Sequence, residues 1–128
     1  MALFYITYEA VKTAEYFAAS DFLLYLALAD NCPMVVLEAM ACGTPVIAFN
    51  TGCVPELVEH LKKGYVAEYK NLDDLADGVE LFLSDDGLKE KAGILARQRV
   101  EDNFTLKRQV GNYLKLYAQI LDRFEQTV

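Results

Sequence analysis

The chain has 128 residues, 54% of them hydrophobic and 24% charged, and a formal net charge of −7. This length suits a single domain with a buried core and is too short for a two-domain enzyme, and the apolar content excludes disorder. The acidic balance argues against a nucleic-acid partner, because phosphate backbones are bound by stripes of lysine and arginine.

We expect no targeting signal and no membrane span in this sequence. The longest apolar run, residues 22–29, is far shorter than the ~20 residues of a membrane span, and the first residues lack the pattern of a signal or transit peptide. The three cysteines, Cys32, Cys42 and Cys53, are odd in number and lack metal-ligand spacing. We therefore expect a cytoplasmic protein with buried reduced thiols, no metal site and no cofactor.

Strand and helix patterns alternate in the first half of the chain. Residues 21–28 (DFLLYLAL) form a continuous apolar run between polar turns, which is typical of a strand buried on both faces. Among the other segments, those with apolar residues at helical spacing are predicted to be helices, and the short apolar runs bounded by polar or turn-forming residues are predicted to be strands. The predicted strands are 3–7, 21–28, 46–49 and 64–69, and the predicted helices are 9–19, 33–42 and 55–61.

Helical patterns fill the second half. We predict helices over residues 72–83 and 87–102, with Asn71 and Asp85 or Asp86 as N-caps, and a long last helix from Thr105 to about Phe124. The apolar residues of the last helix recur at helical spacing, so we expect them in the core. They are Val110, Tyr113, Leu114, Tyr117, Ile120, Leu121 and Phe124.

Strands that alternate with helices at this interval predict parallel βαβ units. The expected fold is therefore a three-layer, Rossmann-like α/β domain over residues 1–128. Its parallel sheet would have about four strands with helices on both faces, and residues 72–128 would form a helical C-terminal section.

Two carboxylates mark a candidate site. Glu38 is the only charged residue between residues 32 and 49, and a carboxylate in so apolar a setting costs several kcal/mol unless it is hydrogen-bonded. Asp30 lies in the loop before the helix that carries Glu38, so both acids would face one pocket and could bind sugar or ribose hydroxyls. The alternative for Glu38 is a structural capping role, and for Asp30 an ordinary loop or capping role.

The strings EAMACGTPVIA (38–48) and NTGCVPE (50–56), with Asp30 eight residues before Glu38, extend this pattern. With them the chain resembles the retaining, nucleotide-sugar-dependent glycosyltransferases of family 4 (group 1), which have the GT-B fold. The likeness runs from about residue 14 to residue 117. It implies that the chain is the C-terminal part of the nucleotide-sugar donor-binding domain of a hexosyltransferase-type enzyme, of the kind used in polysaccharide biosynthesis.

The resemblance also implies roles for individual residues. Glu38 would accept hydrogen bonds from the ribose hydroxyls, and Asp30 would lie near the donor sugar and phosphates. The loop between them would approach the sugar and pyrophosphate with its backbone; its residues are Asn31, Cys32, Pro33, Met34 and Val35. A helix N-terminus offers N–H groups and partial positive charge to such an anion. No catalytic residue is assigned.

The chain departs from the family pattern at several places. Pro33 removes one N–H donor from the loop, and Cys53 replaces a common glycine, which would restrict the turn if positive φ is needed there. No Lys or Arg occurs between Lys12 and Lys62, and the family's basic pair lies on segments not matched here. We therefore expect that the isolated chain does not turn over, and that a missing N-terminal domain or a second copy completes it.

Two other functions remain open. The chain could be a ligand-free α/β structural module that forms a homodimer through its exposed sheet edge. It could also be a different nucleotide-binding enzyme, although it contains neither a G-x-G-x-x-G nor a P-loop sequence. His60, the single histidine, is expected to be a solvated residue at a helix end rather than a catalytic base.

Overall fold

The computed structural model describes residues 10–127. Three short strands alternate with helices, and three further helices follow. The elements are α1 (Ala10–Ala18), β1 (Leu23–Tyr25), α2 (Met34–Ala41), β2 (Val46–Phe49), α3 (Val54–Val58), β3 (Gly64–Ala67), α4 (Leu72–Ser84), α5 (Asp86–Asn103) and α6 (Leu106–Thr127).

The three strands form one parallel sheet in the order β1-β2-β3. Val46 at the start of β2 is in register with Leu23 of β1 and with Gly64 of β3. The α/β class and the parallel sheet are thus confirmed, with three strands in the described part of the chain. The further strand predicted over residues 3–7 lies outside the described residues.

Helices cover both faces of the sheet, as predicted. Val46 and Ala48 of β2 pack on one face against α2 and α3, while Ile47 and Phe49 pack on the other against α4. This alternation follows from the two-residue period of a strand. All four β2 residues are buried, so β2 is the centre of the described core.

Helix α5 passes beneath the end of the sheet at which the strands begin. Its Ala92 belongs to the core on the α4 side and its Ala96 to the core on the α2 side. A Cβ atom added to Gly93 would lie 2.2 Å from the carbonyl oxygen of Gly43, in the turn before β2. The amino ends of the strands are therefore covered, and the carboxyl ends lie on the opposite side.

The outer edge of β3 is closed by side chains. The N–H of Val66 donates to Nδ1 of His60 over 3.1 Å, and the N–H of Glu68 donates to Oδ2 of Asp74 over 2.6 Å. The N–H of Val66 within β3 and that of Glu68 directly after it are thereby satisfied, which blocks the pairing of a further strand at this edge. His60 is exposed, as expected, but it also has this structural role.

The helix boundaries and caps agree closely with the sequence predictions. The side chain of Asn71 accepts from the N–H of Asp74 at the start of α4, and that of Asp85 accepts from the N–H of Leu88 at the start of α5. Thr105 caps α6 through a 3.3 Å bond from the N–H of Arg108. Short polar side chains before a helix satisfy N–H groups that lack intrahelical partners.

The prediction of a long, doubly buried strand over residues 21–28 is wrong. Strand β1 has only three residues, and Leu24, Leu26 and Leu28 are 41–53% exposed. Helix α4 packs on β2 and β3. The side chain of Leu24 points to the face of the sheet on which α4 packs. Strand β1 lies at the edge of the described sheet, outside the part that α4 covers, so Leu24 is exposed.

The prediction that the apolar face of the last helix is core is also wrong. The seven predicted side chains, from Val110 to Phe124, are 42–68% exposed. An amphipathic pattern shows that a helix has an apolar face, but it does not show that residues of the same chain bury that face.

No helix among residues 10–127 is long and apolar enough to span a membrane.

Candidate functional site

A cleft of about 630 Å³ lies at the carboxyl ends of the three strands. The loop that follows each strand contributes to its wall. In open parallel α/β sheets, ligands bind outside the carboxyl ends of the strands, so this cleft is the candidate site. Its lining residues are Leu28, Ala29, Asp30, Asn31, Asn50, Thr51, Gly52, Glu68 and Tyr69.

The loops after β1 and β2 pack directly against each other. The N–H of Cys53 donates to the carbonyl oxygen of Asn31 over 3.0 Å, and Oγ1 of Thr51 donates to the carbonyl oxygen of Leu28 over 3.3 Å. Gly52 has a φ of 51°, in the left-handed region. Cys53 has a φ of −87°, so the turn needs glycine only at position 52 and accepts the cysteine that replaces a common glycine.

Asp30 lies in the cleft wall with an exposed side chain. The hydroxyl of Tyr25 donates to Oδ2 of Asp30 over 2.6 Å, which orients the carboxylate. Burial, followed by this hydrogen bond to the anion, raises the pKa of Tyr25 to about 12. The second carboxylate oxygen remains available to accept from a ligand hydroxyl.

Among the other predicted loop residues, Asn31 lines the cleft and the rest lie at the start of α2. Pro33 is buried and occupies the N-cap position without a side-chain hydrogen bond, Met34 is 64% exposed, and Val35 packs at the margin of the core. Because no side chain caps α2, its first N–H groups can interact with an anion.

The cysteines differ from the expectation of buried thiols. Cys32 is exposed, and Cys42 and Cys53 are half-buried. The Cys32 thiol lies near the thiol of Cys53. Burial, followed by this neighbouring thiol, raises the pKa of Cys53 to about 11.

Glu38 does not have the setting that the sequence suggested. Its side chain is exposed, whereas its neighbours Leu37 and Ala39 are buried. The surrounding sequence is apolar because α2 is buried on the side that faces the sheet. The cleft lining contains Asp30 but not Glu38, so the two predicted acids do not line one cavity in this structure.

The electrostatics of the cleft are acidic. Its lining contains two carboxylates, Asp30 and Glu68, and no cationic side chain among the described residues. At the rim, the Lys70 ammonium lies 5.0 Å from the ring centroid of Tyr69, which lines the cleft. The part of the chain that is described contains no group of three potential metal ligands.

Sequence reasoning did not find several residues of the cleft, nor Tyr25, which orients Asp30. The cleft residues that it missed are Leu28, Ala29, Asn50, Thr51, Gly52, Glu68 and Tyr69. One signal could have found most of them. Asn50, Thr51 and Gly52 directly follow the predicted strand 46–49, and Glu68 and Tyr69 end the predicted strand 64–69. The carboxyl ends of neighbouring parallel strands meet at one edge of the sheet, so these residues could have been expected to lie close together.

Comparison with known proteins identifies the family. Residues 3–99 match the model of the family described as glycosyl transferases group 1. The chain belongs to this family. The resemblance read from the sequence is thereby confirmed.

The family relatives are much longer than this chain. It is 35% identical over 110 residues to N-acetyl-alpha-D-glucosaminyl L-malate synthase of Bacillus anthracis, covering 86% of this chain and 29% of that protein. It is 36% identical over 83 residues to spore coat protein SA of Bacillus subtilis, covering 64% and 22%. The group 1 chain described here thus spans less than a third of these relatives.

Solved structures show the same fold. Sucrose-phosphate synthase from Thermosynechococcus elongatus superposes with a TM-score of 0.74 and 26% identity over 84% of this chain and 27% of that one. The C-terminal domain of a glycosyl transferase group 1 family protein from Francisella tularensis superposes with a TM-score of 0.71 and 23% identity, covering 80% and 53%. The group 1 chain therefore has the fold of part of a GT-B C-terminal domain.

Proposed function

We propose that this chain is the nucleotide-sugar-binding part of a retaining glycosyltransferase, which transfers a sugar from a nucleotide-diphosphate donor to a saccharide or other acceptor. One observation carries the proposal. In a chain of this family, the loops after all three parallel strands converge on one open cleft. The chemistry of its walls suits a donor, since oriented carboxylate oxygens accept hydrogen bonds from sugar hydroxyls.

Within this proposal, Asp30 and the loop from Asn31 to Val35 lie against the donor sugar and pyrophosphate. The hydrogen bond from Tyr25 holds the Asp30 carboxylate at the cleft wall. The uncapped start of α2 supplies N–H groups to the phosphates. Glu38 is exposed and carries no hydrogen bond to another described side chain, which leaves both of its oxygens open to the ribose hydroxyls.

We also propose that the isolated chain does not turn over. The leaving diphosphate develops negative charge, which glycosyl transfer must stabilise with positioned donors or cations. The cleft lining of the described residues contains carboxylates and no cation. The remaining groups would come from an N-terminal domain, which the greater length of the relatives suggests.

The test is a titration of the purified chain with UDP, GDP and ADP sugars, followed by NMR chemical shifts. We expect saturable shifts at residues 30–38 and 50–52 for one nucleotide. Glu38→Gln should weaken binding about tenfold, and the exposed Glu90→Gln in α5 should not change it. Absence of shifts with every donor at millimolar concentration would reject donor binding by this chain.

A second candidate is a structural module that self-associates. The exposed apolar side chains of α6 favour it, because surfaces of this kind mark protein interfaces. The outer edge of β3 does not favour it, since His60 and Asp74 already accept its N–H groups. Light scattering at micromolar concentration tests this candidate, and a monomer that binds a donor would reject it.

A further inference from the structure

Two of the three cysteines meet where the loops after β1 and β2 touch. Cys32 is exposed in the loop before α2, and Cys53 is half-buried directly before α3. The Cys32 thiol is one cause of the raised pKa of Cys53, so the two thiols lie near each other. They are the only cysteines in the chain besides Cys42, which lies at the other end of α2.

A backbone hydrogen bond beside the two cysteines limits the distance between their Cα atoms. The N–H of Cys53 lies 3.0 Å from the carbonyl oxygen of Asn31. That oxygen belongs to the peptide bond that leads to Cys32, and that nitrogen is bonded to Cα of Cys53. The two Cα atoms therefore lie within roughly 7 Å of each other. Disulfides span Cα separations of about 4.4–6.8 Å, so a bridge needs only a small movement.

We propose that Cys32 and Cys53 are a redox-sensitive pair that closes to an intramolecular disulfide. The oxidant is a low-molecular-weight disulfide such as oxidised glutathione. The Cys32 thiolate attacks one sulfur of the oxidant, which forms a mixed disulfide and releases one glutathione thiolate. The Cys53 thiolate then attacks the sulfur of Cys32, which forms the protein disulfide and releases the second glutathione.

The order of these steps follows from exposure. Cys32 is exposed to a dissolved oxidant, whereas Cys53 is half-buried beneath it. Because the pKa of Cys53 is raised to about 11, its thiol is largely protonated at neutral pH. The second step should therefore accelerate about tenfold per pH unit between pH 7 and 9, as the thiolate fraction grows.

Cys42 cannot replace either partner. Helix α2 has 8 residues, which separates its two ends by about 12 Å. Cys42 thus provides a control thiol on the same helix. The bridge would join the two loops whose residues line the cleft, so oxidation would fix the distance between those loops.

The experiment equilibrates the full chain with reduced and oxidised glutathione. We expect three free thiols to fall to one, with a mass lower by two hydrogen atoms and a Cys32–Cys53 peptide in a non-reducing digest. Cys42→Ser should form the same bridge. Cys53→Ser should instead accumulate one glutathione on Cys32, since no second thiol resolves it.

Three results would each overturn the proposal. They are a stable glutathione adduct on Cys32 in the wild-type chain, a bridge that involves Cys42, and a disulfide between two chains in place of the internal one. The assay contains no nucleotide sugar, so its result does not depend on donor binding. Failure of the donor titration and failure of the thiol pair are therefore distinguishable.

Discussion

Gly52 and Asp30 touch through their backbones. A Cβ atom added to Gly52 would lie 1.8 Å from the carbonyl oxygen of Asp30, closer than any real Cβ contact. Gly52 also has a φ of 51°, which side chains of L-residues rarely adopt. The contact sets the spacing between the loop after β1 and the turn after β2, which are two walls of the cleft.

The first prediction concerns this contact. Gly52→Ala should lower the free energy of unfolding by about 2 kcal/mol or more, because it adds backbone strain and forces the two loops apart. It should also weaken donor binding. Urea unfolding measures the stability change, and Gly111→Ala is the matched control, since a Cβ atom there would meet no atom within 4 Å. Equal unfolding midpoints for wild type and Gly52→Ala would contradict the close contact.

The second prediction concerns the pair of Tyr25 and Asp30. Asp30→Asn should lower the pKa of Tyr25 from about 12 towards 10, without reaching it, because burial also raises this pKa. Since the folded pKa is raised, the contribution of Tyr25 to stability is fully present below pH 10 and is lost as pH rises towards 12. NMR titration of the tyrosine rings measures the shift, with Asp77→Asn as control. An unchanged Tyr25 pKa in Asp30→Asn would show that the hydrogen bond is not formed in solution.

The third prediction concerns Asp74, which closes the edge of β3. The N–H of Glu68, followed by the Tyr65 hydroxyl, holds the pKa of Asp74 below its usual value of 3.8. Asp74→Ala should cost about 1.5–3 kcal/mol at pH 7, because both donors lose a charged acceptor. Asp73→Ala, on the exposed side of the same helical turn, should cost less than about 0.5 kcal/mol.

The same interaction predicts acid sensitivity. A lowered folded pKa means that the contribution of Asp74 is present above pH 3.8 and is lost as pH falls through the folded pKa. The stability difference between wild type and Asp74→Ala should therefore shrink below about pH 4. Chemical unfolding at pH 7 and pH 3 tests this, and a constant difference would contradict the ionic role.

The fourth prediction concerns α6. A chain that ends after Thr105 should keep the thermal unfolding midpoint of the full chain within about 2 °C, because the apolar side chains of α6 remain exposed. The shortened chain should also associate less in light scattering, because it lacks those side chains. Calorimetry on both chains is the measurement. A large fall in the midpoint would mean that α6 packs on the domain in solution.

The fold was predictable where the signals are local. Asn71 and Asp85 were recognisable as caps because a short polar side chain before an apolar helical pattern satisfies free N–H groups. The apolar face of α6 was misread because periodicity does not identify the covering partner. The extent of β1 was misread for a related reason, since burial at the edge of a sheet depends on neighbours far away in sequence.

The site was predictable only in part. The motif pointed to Asp30 and to the loop after it, and of these residues Asp30 and Asn31 line the cleft. Glu68 and Tyr69 end the predicted strand 64–69, so their place in the cleft was foreseeable from the rule that the carboxyl ends of parallel strands meet at one edge. The exposure of Glu38 depends on which side of α2 faces the sheet. Apart from Glu38, the residues of α2 are apolar on every side of the helix, so the sequence pattern does not show which side that is.

The closed edge of β3 limits how copies of this chain can join. His60 and Asp74 occupy the N–H groups that an added strand would use, so a further strand cannot extend the described sheet beyond β3. Copies of this chain therefore cannot join edge to edge through β3, and growth into a fibre by strand addition at this edge would be blocked.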